Sequence, residues 1–175
     1  MKTLPRLRIA HLPTPVEAMP RLAAALSGPA LMIKRDDQTG LAMGGNKTRK
    51  LELLVAEAQA NGAQMLITAG AIQSNHCRQT AAAAARYGFE CTLVLYPPTP
   101  EDAIPAEGEP ATGNLLLDRL IGAQIVWTQR QNRDQVLQDV FQAAWDAGRR
   151  PYLIPYGGSN ATGAVAYALA MQEFL

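Results

Sequence analysis

The chain has 175 residues, 48% of them hydrophobic, which suits one ordinary domain with a buried core, or a small domain with part of another. Sixteen Lys and Arg against fifteen Asp and Glu leave a formal charge of +1, so no whole-chain field favours nucleic acid or an anionic membrane, and small molecules are the expected partners. Cys77 and Cys91 are too few for a disulfide framework and match no metal-ligand spacing, which points to free thiols in a reducing cytoplasm and to no metal site. No run approaches 18 uninterrupted apolar residues, and the first ten residues, with Lys2, Arg6 and Arg8, have no apolar core, so neither export nor a membrane span is expected.

In chain order, residues 30–34 read as a short strand running into the charged Arg35-Asp36-Asp37, and residues 40–45 as a flexible loop that exposes its backbone and delivers Lys47. Over residues 47–60, Leu51, Leu54, Val55 and Ala58 recur at helical spacing, and Asn61-Gly62 supplies a stop. Residues 65–68 form a buried strand, 70–74 a loop, and 75–87 an alanine-rich helix closed by Gly88. The alternation continues with strand 91–96, helix 112–121 ending at Gly122, strand 124–127, and helix 132–147 stopped by Gly148. Strand 152–155, the loop Gly157-Gly158-Ser159-Asn160 and a final helix over 162–174 complete the pattern. Between Pro97 and Pro110 the prolines and the acidic Glu101, Asp102, Glu107 and Glu109 read as an exposed loop without chemistry. Strands alternating with helices predict an α/β fold, a parallel sheet with helices on both faces. The Ser74 and Gly157 loops both follow strand ends, where such sheets bind ligands, so both are expected at one cleft.

Lys47 follows Gly44-Gly45-Asn46 just inside a helix start, where close backbone approach, burial and the positive helix end favour an amine nucleophile and Schiff-base chemistry. Read in isolation, Lys47, Arg49 and Lys50 form a solvated basic turn. A phosphate loop places lysine directly after its second glycine, whereas Asn46 intervenes here; the stretch Gly157 to Gly163 likewise breaks dinucleotide-fingerprint spacing. Ser74 and His76 stand two residues apart at a helix start, do not face each other and lie in no nucleophile elbow, which argues against serine hydrolysis. Ser74 or Asn75 is expected to cap the following helix, and the backbone N–H groups of 74–76 to form an anion site suited to a carboxylate. His11 reads as a surface residue and His76 as a loop hydrogen-bonder.

Taken together, Lys34-Arg35-Asp36-Asp37, Met43-Gly44-Gly45-Asn46-Lys47-Thr48-Arg49-Lys50, Thr68-Ala69-Gly70-Ala71-Ile72-Gln73-Ser74-Asn75-His76 and Ile154-Pro155-Tyr156-Gly157-Gly158-Ser159-Asn160 carry a resemblance. In that order and spacing they closely resemble the D-cysteine desulfhydrase and 1-aminocyclopropane-1-carboxylate deaminase family, pyridoxal-phosphate enzymes of the tryptophan-synthase-beta fold type. The resemblance implies that Lys47 holds pyridoxal 5'-phosphate covalently and later moves protons at the substrate alpha carbon, the cofactor acting as electron sink. It implies that Asn75 hydrogen-bonds the cofactor's ring hydroxyl and that Ser74 contacts the substrate or serves as nucleophile or base. Backbone groups of Ser74, Asn75 and His76, with Gly158, would take a small amino-acid substrate through its carboxylate. The implied reaction is an alpha,beta-elimination giving pyruvate, ammonia and sulfide, with the deaminase activity as the alternative and a homodimer as the full-length form.

Family members are nearly twice as long. The glycine-rich loop for the cofactor phosphate and the residue facing the pyridine nitrogen are expected beyond Leu175, so this chain is expected to be an incomplete form with uncertain activity of its own. On that reading residues 1–45 begin a large domain, 46–158 form the complete small domain, and 159–175 start the return to the large one. An unpartnered apolar surface, with self-association, is then expected. The competing hypothesis is a non-catalytic α/β domain that binds a carboxylate ligand or a partner through the Ser74 and Gly157 loops.

Overall fold

A computed structural model of the chain describes residues 4–99, 104–106 and 108–174. Its strands are β1 (Val16–Ala18), β2 (Met32–Lys34), β3 (Met65–Ala71), β4 (Glu90–Tyr96), β5 (Gln124–Trp127) and β6 (Pro151–Leu153). Its α-helices are α1 (Pro20–Ala25), α2 (Lys47–Ala60), α3 (Asn75–Tyr87), α4 (Gly113–Leu120), α5 (Arg133–Asp146) and α6 (Ala161–Met171). β3 to β6 form one parallel sheet in the order β5-β4-β3-β6. β3 and β4 are near-continuous apolar runs because both of their faces are covered. Leu66, Leu93 and Leu95 pack with α2 and α3 through Leu51, Leu54, Val55, Ala81 and Ala84, while Met65, Ile67, Ala69 and Val94 on the other face pack with Leu137 and Ala144 of α5. Alternate strand residues thus feed two cores, the period-2 signature of a doubly covered sheet.

The strand order has one further consequence. From β3 the chain moves outward through β4 to β5, then crosses back so that β6 lies on the other side of β3. The order therefore reverses between β3 and β6, and the carboxyl ends of those two strands are where sheets of this kind place their ligand crevice. The loops that leave those ends carry Ser74 and Gly157.

Several boundaries differ from expectation. The strand expected at 30–34 shortens to Met32–Lys34 and pairs antiparallel with β1 in a separate ribbon; β1 is three residues long, too short for a sequence period to reveal. The loop 40–45 is less open than expected, since a 3₁₀ turn spans Leu41–Met43 and Gly44 is buried. The strand expected at 152–155 is Pro151–Leu153, and the final helix stops at Met171, followed by a 3₁₀ turn over Gln172–Phe174 where Glu173 pairs with Arg49. The described part of 97–110 forms no helix or strand; Glu101, Asp102 and Glu107 of the expected acidic loop lie outside the described residues.

Candidate active site

Lys47 is the first residue of α2, and its position is set by the loop before it. Gly44 and Gly45 have φ of 71° and 134°, and a Cβ at either would collide, with the Asp37 carbonyl and the Gln79 amide respectively. Only glycine permits this backbone and this approach. Buried polar groups hold the loop: the Gly45 N–H donates to the Asp36 carbonyl at 3.0 Å, and Thr39 Oγ1 donates to the Gly45 carbonyl at 2.9 Å. Gln79 Nε2 and Arg78 Nη2 both donate to the Gly44 carbonyl, the latter at 2.9 Å, and Thr48 Oγ1 donates to Gln79 Oε1 at 3.0 Å. The half-buried Lys47 thereby faces the β6–α6 loop, and a Cβ built at Gly157 would stand 3.5 Å from Lys47 Nζ.

Lys50, one turn later on the helix, donates from Nζ to the Gly157 carbonyl and to Ser159 Oγ, both at 3.1 Å. Burial, together with the neighbouring Lys47 charge, lowers the Lys50 pKa. Gly158 is buried, and a Cβ there would meet the Leu54 and Lys50 side chains, so of the two glycines it is Gly157 that faces the amine. Asn160 caps α6 by accepting from the Gly163 N–H at 2.8 Å.

Across the crevice, Ser74 caps α3: its Oγ accepts from the Cys77 N–H at 3.2 Å. The first-turn N–H groups of Asn75 and His76 have no intrahelical acceptor by the geometry of a helix start, which leaves them available to an anion. The His76 side chain turns inward. Thr68 Oγ1 gives its single hydrogen to the Ile154 carbonyl at 2.9 Å, so the 3.0 Å contact between the two side chains is donated by the His76 Nε2–H. Burial, joined by the charges of Lys47 and Lys50 and opposed by the Pro155 backbone, drives the His76 pKa down to about 3. A neutral His76 thus ties α3 to β3 near the end of β6 and exchanges no proton near neutral pH. His11 is exposed, as expected.

At the same carboxyl edge, Tyr96 Oη donates to Tyr156 Oη at 3.2 Å, and the Arg133 guanidinium lies 5.0 Å above the Tyr156 ring. A cleft of about 470 Å³ bounded by Arg6, Arg8, Ala10, Leu12 and Glu52 lies elsewhere. Its one carboxylate, Glu52, is already occupied by Arg6 and the Ile9 and Ala10 N–H groups, so that cleft reads as the seat of the N-terminal segment.

Comparison with known proteins decides the family. The family described as "Pyridoxal-phosphate dependent enzyme" matches residues 7–175. The chain belongs to that family. The D-cysteine desulfhydrase of Klebsiella pneumoniae (strain 342) is 49% identical over 170 residues, covering 97% of this chain and 51% of the relative. That of Salmonella typhi is 48% identical over 172 residues, covering 98% and 51%. A crystal structure described as an ACC deaminase homologue superposes with a TM-score of 0.84 at 34% identity, covering 98% of this chain and 50% of that one. A structure of O-ureido-L-serine synthase, at 18% identity and a TM-score of 0.58, shares the fold. The chain spans about half the length of the curated relatives it matches.

The residues present fit the cofactor of this pyridoxal-phosphate family. A primary amine stands at the crevice mouth opposite a glycine whose missing side chain leaves that amine uncovered, and free helix N–H groups lie across from it. Among the described residues no group of three His, Cys, Asp or Glu is placed to hold a metal, and no helix is long and apolar enough to cross a membrane. Sequence reasoning missed Arg78, Gln79 and Asn114, which fix the Gly44 and Asn75 loops. For Arg78 a signal existed: it lies three residues after Asn75 on a helix, hence on the same face.

Proposed function

We propose that this chain supplies the reactive-amine half of a pyridoxal-phosphate-dependent lyase acting on a small amino acid, of the D-cysteine desulfhydrase type. The observation that carries the proposal is Lys47 Nζ at the β3/β6 switch-point crevice, facing Gly157, in a chain 49% identical to D-cysteine desulfhydrases. When bound, the cofactor supplies an electron sink for a carbanion at the substrate alpha carbon. Lys47 would hold it through Nζ, and the same amine, uncovered beside Gly157, would receive the proton from the substrate alpha carbon. Asn75 would hold the ring hydroxyl, and Ser74 would contact the substrate. The backbone N–H groups of Asn75 and His76, with the Gly158 loop, orient the substrate carboxylate against the positive end of α3. For D-cysteine and one water the balanced outcome would be hydrogen sulfide, pyruvate and ammonium.

The ACC deaminase reaction is the second reading, favoured by the 0.84 TM-score to a homologue of that enzyme. In the proposed domain arrangement residues 1–45 belong to a larger domain, 46–158 form the small domain, and 159–175 lead back to the larger one. The working form is proposed to be a cytoplasmic homodimer. Both cysteines are free and buried, and Met32, Met43, Met171 and Phe174 are more than half exposed, which supports a reducing compartment and an associating surface.

The test is pyridoxal-phosphate addition, borohydride reduction and peptide mapping, with circular dichroism to establish folding. Stoichiometric label at Lys47, abolished in Lys47→Ala, is the expected result, followed by pyruvate release from D-cysteine in excess of that from aminocyclopropane carboxylate. A folded chain that takes no selective label, yet still binds a carboxylate ligand after Lys47→Ala, would instead mark a non-catalytic binding domain.

A further inference from the structure

Arg78 sits where three loops meet. It is 7% exposed, one turn into α3. Its Nη1 donates to Asn75 Oδ1 at 2.8 Å and to Asn114 Oδ1 at 2.7 Å, and its Nη2 to the Gly44 carbonyl at 2.9 Å. Asn114, at the start of α4, completes the arrangement: its Nδ2 donates to Asn75 Oδ1 at 3.0 Å and to the Gln73 carbonyl at 2.7 Å. Its backbone N–H donates to Gln73 Oε1 at 2.7 Å.

The donor and acceptor bookkeeping allows one orientation of each amide. A guanidinium only donates, so the oxygens of Asn75 and Asn114 must both face Arg78. Asn75 Oδ1 then accepts from Arg78 and from Asn114, which occupies both of its lone pairs. Its Nδ2 is left as the free end of an exposed side chain, so Asn75 meets a ligand as a donor and requires an acceptor oxygen there. The same guanidinium holds the Gly44 carbonyl, three residues before Lys47. One planar fork thus sets both the amide of Asn75 and the entry of the loop that bears the amine, a task that the single ammonium of lysine cannot reproduce. Behind it lies Asp118, with no exposed surface and neither oxygen hydrogen-bonded among the described residues; Arg78 Nε is likewise unpartnered.

We propose that Arg78, braced by Asn114, is a positioning residue that orients Asn75 as a hydrogen-bond donor and holds the Lys47 loop in register with it. The proposal rests on the reading of Lys47 and Asn75 as the cofactor-facing pair, but the brace is also observable without any cofactor. The experiment compares wild type with Arg78→Lys, Arg78→Met and Asn114→Ala. It measures the Asn75 side-chain amide resonances in ¹⁵N-labelled protein, and the rate of borohydride-trapped pyridoxal-phosphate labelling at Lys47 with the position of the bound cofactor's visible band.

In the folded variants at Arg78, Asn75 is expected to lose its single amide orientation, its side-chain resonances shifting or doubling. Labelling should slow by about tenfold, the loss of one charge-assisted bond, and the visible band should shift. Asn114→Ala is expected to fall between these and wild type. It also decides the matter if Arg78→Met does not fold, because it removes one donor to Asn75 and leaves the guanidinium in place. Folded variants whose Asn75 signals, label rate and band all match wild type would overturn the proposal. A wild type that takes no label while Arg78→Lys still frees the Asn75 amide would sink the functional reading and leave the brace standing.

Discussion

At the scale of single residues, Asp118 is the group most at odds with its surroundings. It sits on α4 without solvent contact, and burial pushes its carboxyl up from 3.8 to about 7, against the pull of Arg78. The other titratable groups that act on it or feel it are Cys77 on α3 and Cys91 on β4, both thiols raised chiefly by burial. A folded state that keeps a proton which the unfolded chain gives up binds more protons between about pH 4 and pH 7, so stability falls as pH rises through that window and stays reduced above it. Asp118→Asn removes the titration. The variant is expected to gain on the order of 2–4 kcal/mol relative to wild type between about pH 4 and pH 8. Urea unfolding at both pH values checks this, and a difference that does not grow with pH would refute a carboxyl that keeps its proton in the folded state. Lys47 and Arg78, by contrast, contribute through geometry: one amine carried by the Gly44 loop and one guanidinium on α3 that holds the carbonyl of that loop.

At the scale of elements, the start of α2 is the critical junction. A 14-residue helix whose buried face carries Leu51, Leu54, Val55 and Ala58 is anchored firmly in the core, so strain in the preceding loop has to be relieved by moving the loop. Gly44→Ala would drive a Cβ into the Asp37 carbonyl at a φ of 71°, both unfavourable for an L side chain. The expected cost is about 2–3 kcal/mol, from strain and a displaced hydrogen-bond set. Thermal unfolding should show a lowered midpoint, and pyridoxal-phosphate labelling should fall more than stability does, because the loop sets the amine. Equal losses in both would indicate a purely structural role for the turn. Gly88, an exposed C-cap in the left-handed region with nothing within 4 Å of a Cβ, makes a useful contrast: its replacement tests backbone strain alone.

At the scale of the whole molecule, a partly buried ionic network centred on Arg49 closes the fold. Arg49, 3% exposed, bonds Asp36, Thr14 and Glu173, while Lys34 also pairs with Glu173. It ties the N-terminal segment, β2 and α2 to the turn after α6, elements far apart in sequence. Hydrogen bonds from Arg49 outweigh burial and, with Lys34, pull the Glu173 carboxyl from 4.5 down to about 2. A depressed carboxylate stabilises the fold above its unfolded value and loses that contribution as pH falls from 4.5 towards 2. Glu173→Gln is therefore expected to cost about 2–3 kcal/mol near neutral pH, with the difference from wild type closing as pH falls through that window, as acid titration followed by circular dichroism would register. Near this network Met32, Met171 and Phe174 are exposed by 67%, 62% and 51%, with Lys34 Nζ 5.1 Å from the Phe174 ring centroid. Such a surface predicts self-association in sedimentation experiments, weakened by Met32→Lys with Met171→Lys; a monomer at all concentrations would refute it.

The sequence by itself determined the alternating elements from Lys47 to Leu153, because long helices and buried strands repeat a local apolar period strong enough to be read without neighbours. It also determined that Lys47 opens a helix and that Ser74 caps the helix beginning at Asn75, since glycine before a lysine and a capping serine are local signals. The tertiary structure alone decided what depends on distance: β1 pairing with β2, the reversal of strand order that puts the Gly157 loop beside the Ser74 loop, and the inward turn of His76. It alone decided which glycine faces the amine, and that Arg78 and Asn114 jointly orient Asn75. A side chain's period along one element says which face it occupies. Which groups meet across faces, and which lone pairs remain, is settled only when separate elements pack together.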